Sequence, residues 1–300
     1  MKARAQDTAP VHPRFGKENL LKGGFDFFAG VIVAKSIGFI GAGNMAEALM
    51  RGIISKKLYG KKDIIASEIY EPRRKFISDS LGVDVTADSA DVVRSAKFVV
   101  VAVKPQQIGE AMSSLRGLFT KDHLVMSIAA GVTIETLTAH VPDSKIVRVM
   151  PNQPCMVLAS ASAFACGRNV TEDDKRTVKG VLDAVGISVE LKEELLDAVT
   201  GVSGSGPAYA YMMIGALSDG GVLMGLPRDV STRLAAQTLY GAAKTILETG
   251  EHPDKMKDIV CSPGGTTIEA VKVLEDYSMR AAVISAVEAA TMRSKELGKK

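Results

Sequence analysis

Residues 36–50 read SIGFIGAGNMAEALM, and this stretch decides the fold. An apolar run of strand length ends at Ile40. Gly41, Gly43 and Ala46 follow in G-x-G-x-x-A spacing, and an amphipathic helical pattern begins among them. The first glycine permits the tight turn and the second lets a pyrophosphate reach the backbone. The small third residue allows close packing of helix on strand. Bare N–H groups and the dipole at the helix start attract the anion. Alone the motif is weak, but strand before and helix after supply the context of a dinucleotide cradle. The plain alternative is a strand–helix turn that happens to hold glycines.

Outward from this point the pattern alternates. Strand-length apolar runs at SIGFI, DIIAS, KFVVVAV, HLVMSIAA and KIVRVM are separated by amphipathic stretches such as PRRKFISDSLG and PQQIGEAMSSLRG. Nearly continuous apolar strands between helices imply a parallel sheet covered on both faces. Residues 35–197 are therefore expected to form an α/β Rossmann-type domain. From residue 198 to 300 no strand pattern occurs. PAYAYMMIGALSDGGVLMGL is long and apolar, and the later segments rich in alanine have apolar positions at helical spacing. An all-α C-terminal domain is expected. A helix as apolar as residues 208–226 must be buried, so the same region is expected to form a dimer interface.

Composition narrows the function classes. With 46% hydrophobic and 24% charged residues the chain can build a large core, and its net charge is only +3. No basic stripe with interleaved aromatics appears, so nucleic acid is not an expected partner. No apolar run reaches the length of a membrane span, about 18 residues. Cys155, Cys166 and Cys261 lack any C-x-x-C spacing and read as free thiols of a reducing compartment. The four histidines show no metal-ligand spacing, and no metal is expected. His252, in EHPDK, reads as a loop residue. Residues 1–34 hold Pro10, Pro13, Gly16, Gly23 and Gly24 without a regular period and are expected to be a flexible extension. Asp7, Glu18 and Asp26 argue against a transit peptide. The location is expected to be cytoplasmic, with a targeting role for the extension left open.

Ligands of open α/β sheets bind beyond the carboxyl ends of the strands. At the end of the second strand stand Ser67 and Glu68, whose acid suits a ribose 2′-hydroxyl and repels a 2′-phosphate. Arg73 and Arg74 follow within a turn and are able to clamp that phosphate. Their plain alternative is a solvated helix face, so the choice between NADH and NADPH stays open. Lys104-Pro105, Ala129-Ala130-Gly131 and MPNQP (150–154) mark later strand ends, and Asn152 is a candidate polar contact there.

Late in the chain, residues 262–269 read SPGGTTIE. Thr266 and Glu269 have capping-box spacing, so a helix is expected to start here. Gly264 and Gly265 remove side chains and let a ligand approach the backbone amides, which suits a carboxylate. Thr267 adds a hydroxyl that donates or accepts. The two glycines and two threonines offer no strong acid or base. Reducing a carbonyl normally calls for a proton donor such as His, Lys or Tyr. A cyclic imine differs, because its nitrogen is basic enough to be protonated before hydride arrives. GVSGSGP (201–207) is a second glycine-rich segment able to face the same cleft.

GFIGAGNMA, AVKPQ, SIAAGVT, MPNQP, DAVTGVSGSGPAYAYMMIGALSDGGVLMGLPR and KDIVCSPGGTTIEAVKVLE together strongly resemble the Δ1-pyrroline-5-carboxylate reductase family, over residues 36–298. The resemblance implies reduction of (S)-1-pyrroline-5-carboxylate to L-proline with NADPH or NADH. It also implies a Rossmann-type domain followed by a helical domain that forms an intertwined dimer, often assembled into decamers. Carried over, the cofactor pyrophosphate meets Gly41, Ala42, Gly43, Asn44 and Met45, and the ribose end meets Ser67, Glu68 and Ser89. The nicotinamide lies near Ala102, Val103, Lys104 and Pro105, with Ala130 and Asn152. Ser262, Gly264, Gly265 and Thr266 hold the substrate carboxylate, and Thr267 serves the ring nitrogen as the catalytic group. Family members that accept NADPH often carry small polar residues where Glu68 stands and an asparagine where Ser89 stands. A β-hydroxyacid dehydrogenase shares the architecture but wants a lysine donor, and Lys244 in GAAKTI has no supporting motif. A non-catalytic dinucleotide-binding scaffold would have no use for the SPGGTT loop.

Overall fold

The apolar runs become strands in a computed structural model that describes residues 34–298. What was expected of residues 1–33 lies outside the described residues. β1 (Ile37–Ile40), β2 (Ile64–Ser67), β3 (Asp84–Thr86), β4 (Phe98–Val101), β5 (Leu124–Ser127) and β6 (Lys145–Met150) lie parallel. β7 (Ser160–Cys166) runs antiparallel to β6, and β8 (Gly186–Glu190) runs parallel to β7. The spatial order is β3-β2-β1-β4-β5-β6-β7-β8. The chain reverses its winding between β1 and β4, which opens a ligand crevice at their carboxyl ends.

Helices cover both faces of this sheet. α1 (Asn44–Ser55), α2 (Glu71–Leu81) and α6 (Glu172–Asp183) place Leu49, Ile53, Ile77 and Leu182 against Ile37 and Phe39. α3 (Ser89–Ser95), α4 (Ile108–Ser114) and α5 (Ile134–His140) place Val92, Met112 and Leu137 against Ile40, Val99 and Val101. Successive strand residues thus feed opposite cores, as the pleat requires. Gly38 is needed for the close approach of α3, because a Cβ there would lie 2.5 Å from Val92.

Two features depart from the purely parallel sheet expected. β7 is antiparallel, and it follows β6 through only the short 3₁₀ segment Gln153–Val157. A parallel return needs a longer crossover, so an antiparallel neighbour results. β8 exposes Ile187 and Val189.

Beyond β8 the described chain is helical: α7 (Leu196–Val199), a π-helical turn (Thr200–Gly204), α8 (Gly206–Leu223), α9 (Arg228–Thr249), α10 (Pro253–Val260), α11 (Thr266–Asp276) and α12 (Met279–Leu297). α8 and α9 pack so closely that a Cβ on Gly221 would meet Ser231 Oγ at 2.1 Å. Ser231 Oγ donates to the Ser218 carbonyl at 2.8 Å. α12 docks on the π turn, where Gly201 lies against Val287 and Thr291, and Ser294 donates to Asp197. The apolar α8 is not buried within the single chain: Met212 is 75% and Leu223 85% exposed. No helix among the described residues is long and apolar enough to cross a membrane.

Candidate functional site

The crevice begins at the turn between β1 and α1. Gly41 adopts a left-handed φ of +91°, and a Cβ there would press on the Ala102 carbonyl at the end of β4. Gly43 is required for the opposite reason. Among the described residues nothing lies within 4 Å of the position its Cβ would take, which leaves room above the turn for a ligand. The amides of Gly43, Asn44 and Met45 have no partner among the described residues, and the first intrahelical bond runs from Glu47 N to Gly43 O. Unpaired donors at a helix start form an anion cradle, and a pyrophosphate fits it. Met45 packs against Cys155, whose thiol donates to the Met45 sulfur.

The acid at the end of β2 reaches this turn. Glu68 Oε2 accepts from Ala42 N at 3.3 Å, and Oε1 accepts from Tyr70 N at 3.0 Å. Ser67 and Ser89, 22 residues apart, place their hydroxyls 2.9 Å from each other. The two arginines weighed as phosphate clamps or as a solvated helix face are engaged with protein groups. Arg73 donates from Nε to the Ala42 carbonyl and from Nη2 to Glu47, at 2.8 and 2.7 Å. Arg74 donates from Nη1 to the carbonyls of Glu68 and Ile69. Burial pushes the Glu47 carboxyl up, but hydrogen bonds and charge from Arg51 and Arg73 outweigh it and hold the group below its ordinary range.

Further along the strand ends, Ala102 N bonds the Ile40 carbonyl, which fixes the entry to Val103 and Lys104 beside the cradle. Lys104 leads into a short 3₁₀ turn, Pro105–Gln107. Ala130 follows β5 and lies just before Gly131, which has φ +75°. Asn152 is buried, and its amide serves mainly as a brace. Oδ1 accepts from Ser160 Oγ and Ala161 N, while Nδ2 donates to the Ser203 carbonyl at 3.0 Å. MPNQP and GVSGSGP therefore meet through this bond. One Nδ2 hydrogen remains for a ligand.

The SPGGTT loop differs in detail from its expectation. The N-cap of α11 is Gly265, extended at φ −81° and ψ 173°, with no side-chain cap. Thr266 is the first helical residue, so the capping box with Glu269 does not form. Gly264 is left-handed at φ +64°. A Cβ on Gly265 would lie 2.3 Å from Ser262 Oγ, so only glycine admits that hydroxyl. Gly265 N bonds the Ser262 carbonyl at 3.0 Å, which leaves the Thr266, Thr267 and Ile268 amides as open donors of the helix start among the described residues. The Thr267 hydroxyl makes no hydrogen bond among the described residues, and none joins residues 262–267 to the sheet. His252, expected in a loop, caps α10: its Nδ1 accepts from Asp254 N at 3.2 Å. Lys244 is exposed on α9 beside Glu248, and no reactive group accompanies it. The three cysteines are free thiols, with Cys155 buried.

A switch-point crevice with a bared phosphate turn defines a dinucleotide-dependent oxidoreductase, here joined to a helical region. Comparison with known proteins sharpens this class. Residues 36–131 match the family described as NADP oxidoreductase coenzyme F420-dependent, and residues 193–297 match pyrroline-5-carboxylate reductase dimerisation. The pyrroline-5-carboxylate reductase of Methanosarcina acetivorans is 46% identical over 89% of this chain and 99% of its own. That of Synechocystis is 46% identical over 88% of this chain and 98% of its own. Among solved structures, a pyrroline-5-carboxylate reductase from Coxiella burnetii superposes with a TM-score of 0.84, at 35% identity, covering 89% of this chain and all of the other. The Plasmodium falciparum pyrroline carboxylate reductase with NADP bound gives a TM-score of 0.79, at 32% identity, covering 88% and 98%. The chain belongs to the pyrroline-5-carboxylate reductase family.

Proposed function

We infer that the chain reduces (S)-1-pyrroline-5-carboxylate to L-proline. The bound NADH or NADPH supplies the hydride, which adds to the ring carbon of the C=N bond. A proton on nitrogen completes the secondary amine. One observation carries this reading: the phosphate cradle and a glycine-bared helix start occur in one chain of this family.

The residues divide the work. The unpaired amides of Gly43, Asn44 and Met45, with Gly41 and Ala42 shaping the turn, hold the cofactor pyrophosphate. Ser67, Glu68 and Ser89 line the ribose end, and Ala102 to Pro105 with Ala130 and Asn152 line the nicotinamide end. At the substrate, Ser262 and the Thr266 amide orient the carboxylate, with Gly264 and Gly265 shaping the loop that admits it. The Thr267 hydroxyl, left without a protein partner, hydrogen-bonds the ring nitrogen and fixes which face receives hydride. Because the imine carries its own proton, orientation replaces acid catalysis.

Residues 35–197 act as the cofactor domain and 198–300 as the substrate and dimerisation domain. The apolar residues exposed on α8 support association through the helical region, and a decamer is the assembly we propose for the dimers. The expected compartment is the cytoplasm. Incubation with pyrroline-5-carboxylate and each reduced dinucleotide, followed by chiral chromatography, tests the reaction. L-proline formed in step with loss of nicotinamide absorbance supports it, and no proline with either cofactor refutes it.

A further inference from the structure

The two signals at the ribose end point in opposite directions in the sequence: an acid that favours NADH, and two arginines that suit NADPH. The structure places both. Glu68 bridges two backbone amides, Ala42 N in the phosphate turn and Tyr70 N at the start of α2. Its carboxylate is thus held beside the cradle and is half-buried. A ribose 2′-hydroxyl donates to such a group, whereas a 2′-phosphate meets a second negative charge.

Relief would have to come from a cation, and the nearest ones are committed. The Arg73 guanidinium is held on three sides. Its Nε is on the Ala42 carbonyl, its Nη2 on Glu47, and its plane lies 5.1 Å from the Phe76 ring centre. Glu47 is only 7% exposed and is shared with Arg51. Swinging Arg73 toward a phosphate would leave the carboxylate of Glu47 with half its partners. Arg74 is fixed on the carbonyls of Glu68 and Ile69, which tightens the same corner. Ser67 and Ser89, the remaining polar groups, bond each other and carry no charge.

We propose that this corner selects NADH over NADPH: Glu68 is the specificity-determining residue, and Glu47 enforces the choice by holding Arg73 away. The inference rests on the dinucleotide-binding reading above. It concerns binding rather than turnover, so the two can fail separately.

The test is equilibrium titration of the full chain with NADH and, separately, NADPH, followed by nicotinamide fluorescence without substrate. NADH is expected to bind about tenfold or more tightly than NADPH, the ratio that about 1.4 kcal/mol of charge repulsion produces. Glu68→Ser should abolish that ratio, chiefly by tightening NADPH. Arg73→Ala should leave it within about twofold of wild type, since each tenfold change would need about 1.4 kcal/mol. Arg51 still pairs Glu47 in that variant, so the fold is kept. Equal or tighter binding of NADPH to the wild type overturns the proposal. So does an unchanged ratio in Glu68→Ser, or a selective loss of NADPH affinity in Arg73→Ala. Binding of neither dinucleotide overturns the functional reading itself, and this inference with it.

Discussion

Asn152 Nδ2 donates to the Ser203 carbonyl at 3.0 Å, and this bond ties the end of the sheet to the first turn of the helical region. The same side chain accepts from Ser160 and Ala161. Truncating it removes three hydrogen bonds at once, one of them buried. Asn152→Ala is expected to cost about 2–4 kcal/mol, given roughly 1 kcal/mol per bond lost. Chemical denaturation checks this, and a loss under about 0.5 kcal/mol, within the range of surface substitutions, would show that the brace is not structural.

The Thr267 hydroxyl has no hydrogen-bond partner to lose among the described residues, so its removal should spare stability and strike turnover. Thr267→Ala is expected to lower kcat/KM by on the order of ten- to hundredfold, the value of one hydrogen bond at a dry site. Initial-rate kinetics beside a melting curve separate the two effects. Unchanged kinetics would remove Thr267 from the mechanism.

Gly41 and Gly43 should fail differently. Gly41→Ala forces a side chain into left-handed backbone against the Ala102 carbonyl and is expected to destabilise by about 1–2 kcal/mol from conformation alone. Gly43→Leu enters open space, so the melting temperature should hold while dinucleotide binding is lost. Thermal melts with and without cofactor report both. Retained binding in Gly43→Leu would place the pyrophosphate elsewhere.

Met212 lies on the exposed apolar surface of α8. Met212→Glu would bury a charge if that surface is covered by a second copy. Sedimentation velocity is expected to show a shift toward single chains at concentrations where the wild type is associated. An unchanged mass would place the interface on another face.

Stability should fall on the acid side. Burial pushes the His123 imidazole below its ordinary value, against smaller opposing effects from its hydrogen bonds. Its Nδ1 accepts from Thr120 N and its Nε2 lies 3.1 Å from the Val93 carbonyl, which fits a neutral ring that donates from Nε2. A depressed folded value means the contribution is complete above about pH 6.5 and declines as pH drops through the folded value. Glu47, also depressed, adds a second loss below the ordinary carboxylate range. His123→Gln should flatten the first decline, read by urea midpoints across pH. An unaltered profile would show that His123 does not set it.

Much of this was legible in residue order. The runs that became β1, β2, β4, β5 and β6 are largely apolar, as strands with helices on both faces require. β7 and β8 were missed for a physical reason. SASAFAC is built of small residues, and GISVE leaves Ile187 and Val189 exposed, so neither carries the signature of a strand buried on both faces. The Thr266–Glu269 spacing marked the helix start, but the extended Gly265 took the cap position and moved Thr266 into the helix. The charges of Arg73 and Arg74 were visible, but their capture by Glu47 and by backbone carbonyls depends on contacts across 26 residues that spacing does not encode.

The central claim is hydride transfer to a cyclic imine, and labelled cofactor tests it most directly. NADH carrying deuterium on the transferring face of C4 would be turned over with pyrroline-5-carboxylate, and the proline examined by mass spectrometry and NMR. L-proline with a single deuterium at ring C5 is expected. Unlabelled proline, or no proline from a folded and associated protein, would contradict it.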